Sequence, residues 1–237
     1  MLIYAVCLLS AYGFLVVAGN LRDTPELLYR QGFAIGVGLV LALVPIFLDW
    51  QRLFYARKIS LFGRSLPLCP ILLYTGCAAV LIVTVFCGVG EGNRNWIVLP
   101  FYPYHVQPSE IIKPLFLLTF SAHIEQVREK LQHPLTLLGL CLHGGSMVLL
   151  IVAEGDLGSA LVYLFAFLAM LWGAGLYRRY FAAFAALGAV GAPIFWKLLK
   201  PYQQMRLRYG FCPWQDAQGY GYQAMQSRAL ILRAGLL

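Results

Sequence analysis

The chain has 237 residues, 60% of them hydrophobic and 12% charged, with a mean hydropathy of +0.72. A soluble domain carries about 25% charged residues, so this composition excludes an ordinary water-soluble globule and places most of the chain against lipid or other apolar helices. The net charge of +8 would raise nucleic acid as a partner in a soluble protein; here Lys and Arg gather in loops between apolar runs, where membrane lipids and not nucleic acid are the expected partner.

A membrane-spanning helix needs roughly 17–25 mostly apolar residues. Seven runs qualify or nearly so: residues 2–19, 32–48, 66–89, 110–124, 134–153, 157–176 and 180–199. The fourth is short and contains Lys113. The first lacks the basic segment of a signal peptide and is followed by further spans, so it reads as a retained helix. Backbone in lipid must satisfy its own hydrogen bonds, and no run alternates with period two, which predicts helices and not a barrel. The expected fold is an all-α, polytopic integral membrane protein of about seven transmembrane helices. Residues 1–199 form the bundle, and residues 200–237 begin a large, incomplete extracytoplasmic loop.

Loop charge predicts the orientation. With a cytoplasmic N-terminus, the inner loops hold eight basic residues: Arg52, Arg57, Lys58, Arg64, Arg128, Lys130, Arg178 and Arg179. The outer loops before the last span hold three: Arg22, Arg30 and Arg94. The tail departs from this rule, carrying Lys200, Arg206, Arg208, Arg228 and Arg233 on the outer side. Either a long translocated segment escapes the rule, or these groups hold a phosphate. The six cysteines contain no Cys-x-x-Cys pair and five lie in apolar runs, which predicts buried structural thiols and no metal site or disulfide framework. Gly32 and Gly36 have the spacing of close helix packing.

Three polar islands interrupt the apolar background, all on the predicted outer side. The first runs from Glu91-Gly92-Asn93-Arg94-Asn95-Trp96-Ile97 to Gln107-Pro108-Ser109-Glu110-Ile111-Ile112-Lys113. Pro108 and Ser109 suit a helix start with Ser109 as N-cap; Glu110 complements the helix dipole, and Lys113 falls on its face. The second is Glu154-Gly155-Asp156-Leu157-Gly158-Ser159-Ala160. Two acids at the mouth of a helix pair are costly unless solvated or paired, so function is the default hypothesis for them. The third is Pro201-Tyr202-Gln203-Gln204-Met205-Arg206, then Pro213, Asp216, Gly219, Gly221-Tyr222-Gln223 and Gln226-Ser227.

These islands resemble, in order and spacing, motifs of the SEDS family of bacterial cell-wall polymerases. The first is similar to its Gly-x-Arg-x-Trp-Ile and Gln-Pro-Ser-Glu-x-x-Lys segments. The second is similar to its Pro-Asp-Leu-Gly-Thr-Ala turn, with Gly155 for Pro and Ser159 for Thr. The third is similar to its large outer loop. The resemblance covers almost the whole chain. It implies a peptidoglycan glycosyltransferase that polymerises lipid II in the bacterial cytoplasmic membrane, serving cell shape, division or sporulation. It also implies a class B penicillin-binding protein as partner and a divalent cation, Mg or Mn, as a possible cofactor.

By the same resemblance the substrate-binding candidates are Arg94, Trp96, Gln107, Ser109, Glu110, Lys113, Tyr202, Gln203, Arg206, Gln223, Gln226 and Ser227, with Asp156 in a supporting catalytic role. Asp156 reads as a contact to substrate or metal, as partner of the base, or as a turn acid capping the next helix. Glu154 matches no family carboxylate. Glu110 and Lys113 read as an ion pair tying a helix into the bundle or as lining of a lipid groove. Arg94 and Trp96 read equally as interfacial anchors, and Arg206 as a diphosphate contact. His143, alone in an apolar run, reads as a relay or ligand or as a helix–helix hydrogen bond; His105, His123 and His133 have no ligand spacing. The family continues beyond the Gln-Ser with Gly-Ser-Gly-Gly, where this chain has Leu232-Arg233-Ala234-Gly235, and it has about ten spans. Its usual catalytic aspartate lies farther along the outer loop, so this chain alone is expected not to polymerise. A flippase for the same lipid and a non-catalytic scaffold are the alternative readings.

Overall fold

A computed structural model describes residues 2–20, 25–47, 49–55, 57–61, 64–90, 93–98 and 105–234. Glu91 and Gly92 of the first island, Arg22, Gly235 and Leu237 lie outside the described residues. The chain divides into two compact units, Met1–Cys69 and Pro70–Leu237.

In the first unit, α1 (Leu2–Asn20) and α2 (Pro25–Phe47) pack together. Gly32 carries no side chain at the contact, and a Cβ there would stand 3.6 Å from the Phe14 ring. Helix α2 starts earlier than its apolar run because Pro25 and Glu26 suit a first helical turn. The short helix α3 (Trp50–Tyr55) is capped by Asp49, whose carboxylate accepts from the Arg52 N–H at 3.1 Å. An antiparallel hairpin of β1 (Lys58–Leu61) and β2 (Arg64–Pro67) follows, an element not expected from the apolar pattern.

The second unit holds all but the first two residues of the long helix α4 (Leu68–Cys87), with α5 (Pro108–Gln126), α6 (Pro134–Ala153), α7 (Leu157–Gly173) and α8 (Arg178–Leu198). A two-residue hairpin, β3 (Ile97–Val98) with β4 (His105–Val106), lies between α4 and α5. The shorter α9 (Pro201–Phe211) and α10 (Tyr222–Ala234) complete it. Among the described residues α4, α6 and α8 are long and apolar enough to cross a membrane, and α1 and α7 contain shorter apolar helices. The seven long helices coincide with the seven apolar runs, giving an all-α polytopic membrane fold. Contrary to the expectation of buried thiols, only Cys77 is buried; Cys7 and Cys87 lie on exposed helix faces, since an apolar run in a membrane helix does not imply packing against protein.

The core of this unit lies among α4, α5, α6 and α7, where Leu81, Phe116, Phe120, Leu140, Met147, Ile151, Tyr163 and Leu171 are fully buried. Gly144 lets α6 and α7 approach: a Cβ there would collide with the Phe167 ring. At the other end of the bundle Gln132 clamps the α5–α6 link to the α7–α8 turn. Its side-chain amide donates to the Gly175 carbonyl (2.8 Å), and its side-chain oxygen accepts from the Tyr177 N–H (3.0 Å). The 213–222 part of the third island folds as a local turn, in which Asp216 accepts from the Tyr220 N–H and the Gly221 backbone sits against the Pro213 carbonyl.

Candidate functional site

The α6–α7 turn gathers the polar islands. Helix α6 ends in a Schellman motif. The N–H of Gly155 bonds the Val152 carbonyl at 2.9 Å, and the N–H of Asp156 bonds the Ile151 carbonyl at 3.3 Å. Gly155 has φ +87°, the left-handed conformation this motif requires. A proline, fixed near φ −65°, cannot adopt it, so the replacement of the family's Pro by Gly155 changes how the turn is made.

Asp156 then serves as N-cap of α7, accepting from the Ser159 N–H at 3.0 Å. Its other oxygen accepts from the Ser159 hydroxyl (2.8 Å), the Asn95 amide (3.0 Å) and the Gln107 amide. Burial alone would raise the carboxyl's pKa; the four donors outweigh it and hold Asp156 below the usual carboxylate range. The turn acid is therefore a cap and also the hub joining the α4–α5 connection, the start of α5 and the start of α7.

Glu154, two residues earlier, has the opposite environment. It is 1% exposed, and neither side-chain oxygen has a hydrogen-bond partner among the described residues. Burial, aided by the adjacent Asp156 charge, pushes its carboxyl up to about 8, so it is neutral at pH 7. Its backbone carbonyl accepts from the Arg94 N–H at 2.8 Å. The next carbonyl, of Gly155, accepts from Tyr202 Oη (3.2 Å) and Gln203 Nε2 (3.0 Å), which dock α9 onto the turn. A Cβ at Gly155 would stand 3.2 Å from both Asn93 Cβ and Tyr202 Oη.

The structure thus brings together Arg94 (through its backbone), Gln107, Asp156, Tyr202 and Gln203. Ser109 is placed differently from the sequence expectation. Gln107 is the N-cap position of α5 and Pro108 its first residue, so Ser109 lies inside the first turn. The Ser109 hydroxyl is buried without a partner among the described residues, while its carbonyl accepts from Tyr163 Oη at 2.6 Å. Glu110 and Lys113 pair with each other, Lys113 Nζ standing 2.8 Å from both carboxylate oxygens, on a half-exposed face. Trp96 is exposed and bonded through its backbone to Val89. Arg206 is exposed, its guanidinium 6.0 Å from the Tyr202 ring centroid. Gln223, Gln226 and Ser227 are exposed on α10, and none bonds to the turn among the described residues. Asn95 and Ser159, absent from the sequence-based candidates, also bond Asp156; they belong to the first and second islands.

Beside the turn is an almost wholly apolar groove of about 440 Å³. Leu72, Gly76 and Val80 of α4 line one side and Ile111, Ile112 and Leu115 of α5 the other. Val106 and Pro108, which flank Gln107, also line it. Among the described residues no group of three or more His, Cys, Asp or Glu side chains is placed to hold a metal ion. Asp156 already accepts four hydrogen bonds, so these residues do not fit a protein-held Mg or Mn ion.

Relatives share this architecture. A solved structure described as "Structural coordination of polymerization and crosslinking by a peptidoglycan synthase complex" superposes with a TM-score of 0.70 at 30% identity, over 95% of this chain and 62% of that one. The crystal structure of Thermus thermophilus rod shape determining protein RodA gives 0.59 at 28% identity, over 80% of this chain and 58% of that one. The "Probable peptidoglycan glycosyltransferase FtsW" of Nitrosococcus halophilus is 30% identical across 84% of this chain and 48% of its own length. The protein of the same description from Legionella pneumophila is 26% identical across 99% and 57%. The chain spans about half the length of these curated relatives. The family model for FtsW, RodA and SpoVE, described as "Cell cycle protein", matches residues 1–237. With parts of all three islands meeting at one turn and that match running end to end, the chain belongs to the FtsW/RodA/SpoVE family.

Proposed function

We propose that this chain forms the substrate-holding part of a SEDS-type peptidoglycan glycosyltransferase in the bacterial cytoplasmic membrane, with its N-terminus on the cytoplasmic side. The observation that carries the reading is the convergence of three separated polar segments, Asn93–Asn95, Gln107 and Tyr202–Gln203, on the Glu154–Asp156 turn, near an apolar groove. That pairing suits a ligand with a polyprenyl chain and a polar, diphosphate-linked sugar, as in lipid II. The groove between α4 and α5 takes the hydrocarbon. Arg94 and Arg206, both exposed at this end, supply cations for the diphosphate. Lys113, already paired with Glu110, anchors the groove wall.

In the reaction the sugar 4-hydroxyl attacks the anomeric carbon of the growing glycan. The bond to undecaprenyl diphosphate breaks with inversion, and the hydroxyl proton passes to a carboxylate base. Asp156 is a positioning residue here. Its lone pairs are committed to four donors, and its lowered pKa makes it a weak base, so it orders Asn95, Gln107 and α7 around the ligand. A divalent ion that accompanies the diphosphate belongs to the ligand.

Saturable binding of fluorescent lipid II to the chain in nanodiscs tests the reading. Asp156→Ala is expected to weaken binding by about tenfold, near 1.4 kcal/mol. Equal binding by the variant, or no saturable binding by the parent chain, overturns it. A second reading, a scaffold for a class B penicillin-binding protein, is supported by the likeness to a synthase complex. Co-purification with that partner without lipid II binding would favour it.

A further inference from the structure

At the end of the bundle opposite the acidic turn, two links bring basic residues together. The α5–α6 link carries Arg128 and Lys130, and the α7–α8 turn leads into Arg178 and Arg179, the first two residues of α8. All four are exposed, and among the described residues none of them is in an ion pair. The Gln132 clamp fixes one link to the other, and the Gln132 carbonyl also accepts from Tyr180 Oη at 2.7 Å. The Arg179 guanidinium reaches the same Tyr180 oxygen at 3.5 Å, and it lies 5.2 Å and 5.1 Å from the Tyr177 and Tyr180 ring centroids. The Arg178 guanidinium lies 5.9 Å from the Trp172 ring centroid, and that ring meets Phe181 edge-on at 5.1 Å.

We propose that this end of the bundle is a binding site for one anionic phospholipid, its phosphate held by the two clamped links and an acyl chain lying against Trp172 and Phe181. Three features carry this. First, the charge is unbalanced. The four basic groups face only Glu125 and Glu129, an excess of two positive charges, which suits a lipid of net negative charge over a zwitterionic one. Helix stability does not account for the two arginines, because cations in a first turn oppose the helix dipole. Second, the depth is right. Helices α6 and α8 are long and apolar enough to cross a membrane and both start at these links, so the cations stand where a span gives way to headgroups. Trp172 and Tyr177, 56% and 53% exposed, are side chains of the kind that collect at that interface. Third, the cations are ordered before the ligand arrives. The rings beneath Arg178 and Arg179 hold the guanidiniums, which lowers the entropy lost on capture, and each presents paired N–H groups to a phosphate. An acidic peptide would meet the charges but leave the exposed Trp172 ring without a partner. The inference is independent of the lipid II reading, since it uses neither the acidic turn nor the apolar groove.

The test uses the full chain in phosphatidylcholine nanodiscs at about 0.15 M salt, where remote charges are screened. Phosphatidylglycerol with brominated acyl chains is titrated in, and brominated phosphatidylcholine serves as the control. Bromine quenches only tryptophans it touches, and a Trp172→Phe chain measured in parallel subtracts the other four of the five. A basic group near an anionic lipid contributes about fivefold, so an excess of two predicts half-quenching of Trp172 at a mole fraction about twenty-fivefold lower for phosphatidylglycerol. The double variant Arg178→Gln/Arg179→Gln is expected to bring the two lipids level. Equal quenching by both lipids in the unsubstituted chain overturns the proposal without need of a variant, as does an undiminished preference in the double variant. Displacement of the lipid by millimolar inorganic phosphate would make this a free-anion site, and displacement by a polyglutamate peptide a peptide site; either result overturns the lipid assignment.

Discussion

Replacing Glu154 by glutamine isolates the energetic cost of the buried acid. The folded pKa is raised from an ordinary 4.5 to about 8, so the native state holds a proton that the unfolded chain releases. The sign follows from proton linkage. The stability linked to this proton is fully present below pH 4.5 and is lost as the pH rises through about 8. At about 1.4 kcal/mol per pH unit, the loss is about 3 kcal/mol by pH 7 and about 5 kcal/mol at completion. Glutamine has nearly the same shape and no titration. Its buried amide, equally without partners, carries a burial cost of the same order as the neutral acid's, about 1–3 kcal/mol. Glu154→Gln is therefore expected to match the parent near pH 4.5 and to become the more stable of the two as the pH rises towards 8, with the difference levelling off beyond pH 8. Thermal or chemical unfolding in detergent from pH 5 to 9 measures this. Parallel pH profiles for the two proteins would refute the assignment of a buried, unpartnered, proton-holding Glu154.

Asp156→Asn should have the opposite pH signature. It forfeits charge-assisted bonds worth about 1.5–3 kcal/mol each, and the deficit should shrink as acid protonates the parent's Asp156, a trend visible in unfolding between pH 6 and 3. Gly155→Ala should cost at least about 1–2 kcal/mol from the left-handed backbone. It should also loosen α9 by crowding Tyr202, detectable as faster hydrogen exchange in residues 201–211. Gly144→Ala should lower stability by about 1–3 kcal/mol through overpacking against Phe167, with Phe167→Leu in the same chain restoring part of the melting temperature.

The helices were legible in the sequence because lipid leaves the backbone few alternatives. Apolar run length located all seven, and Pro134 marked the start of α6. The fourth run looked weakest on account of Lys113. The helix forms regardless, since Glu110 one turn earlier neutralises the charge on a half-exposed face. The islands were legible as places of interest, but their meeting was not. Asn95 and Gln107 reach Asp156 from 61 and 49 residues away in sequence. His123 and His143, which hydrogen-bond from different helices 20 residues apart, follow no motif spacing. Nor could Glu154 and Asp156 be told apart in advance. The same carboxyl chemistry becomes a four-fold acceptor at one position and an orphaned acid at the other, because the φ of Gly155 turns the two side chains into different surroundings.

The turn also dictates an order of assembly. Helices α6 and α7 are joined by three residues, so their pairing closes a short loop and can form early. Every other contact with the turn spans a long loop: Asn95, Gln107, Tyr202 and Gln203 lie 47 to 61 residues from their partners in it. Glu154 gains its proton when its carboxyl becomes buried, so proton uptake at near-neutral pH is expected to mark the step that completes the surroundings of the turn, and a pH-indicator dye in a weakly buffered refolding mixture would time that step without labelling the protein.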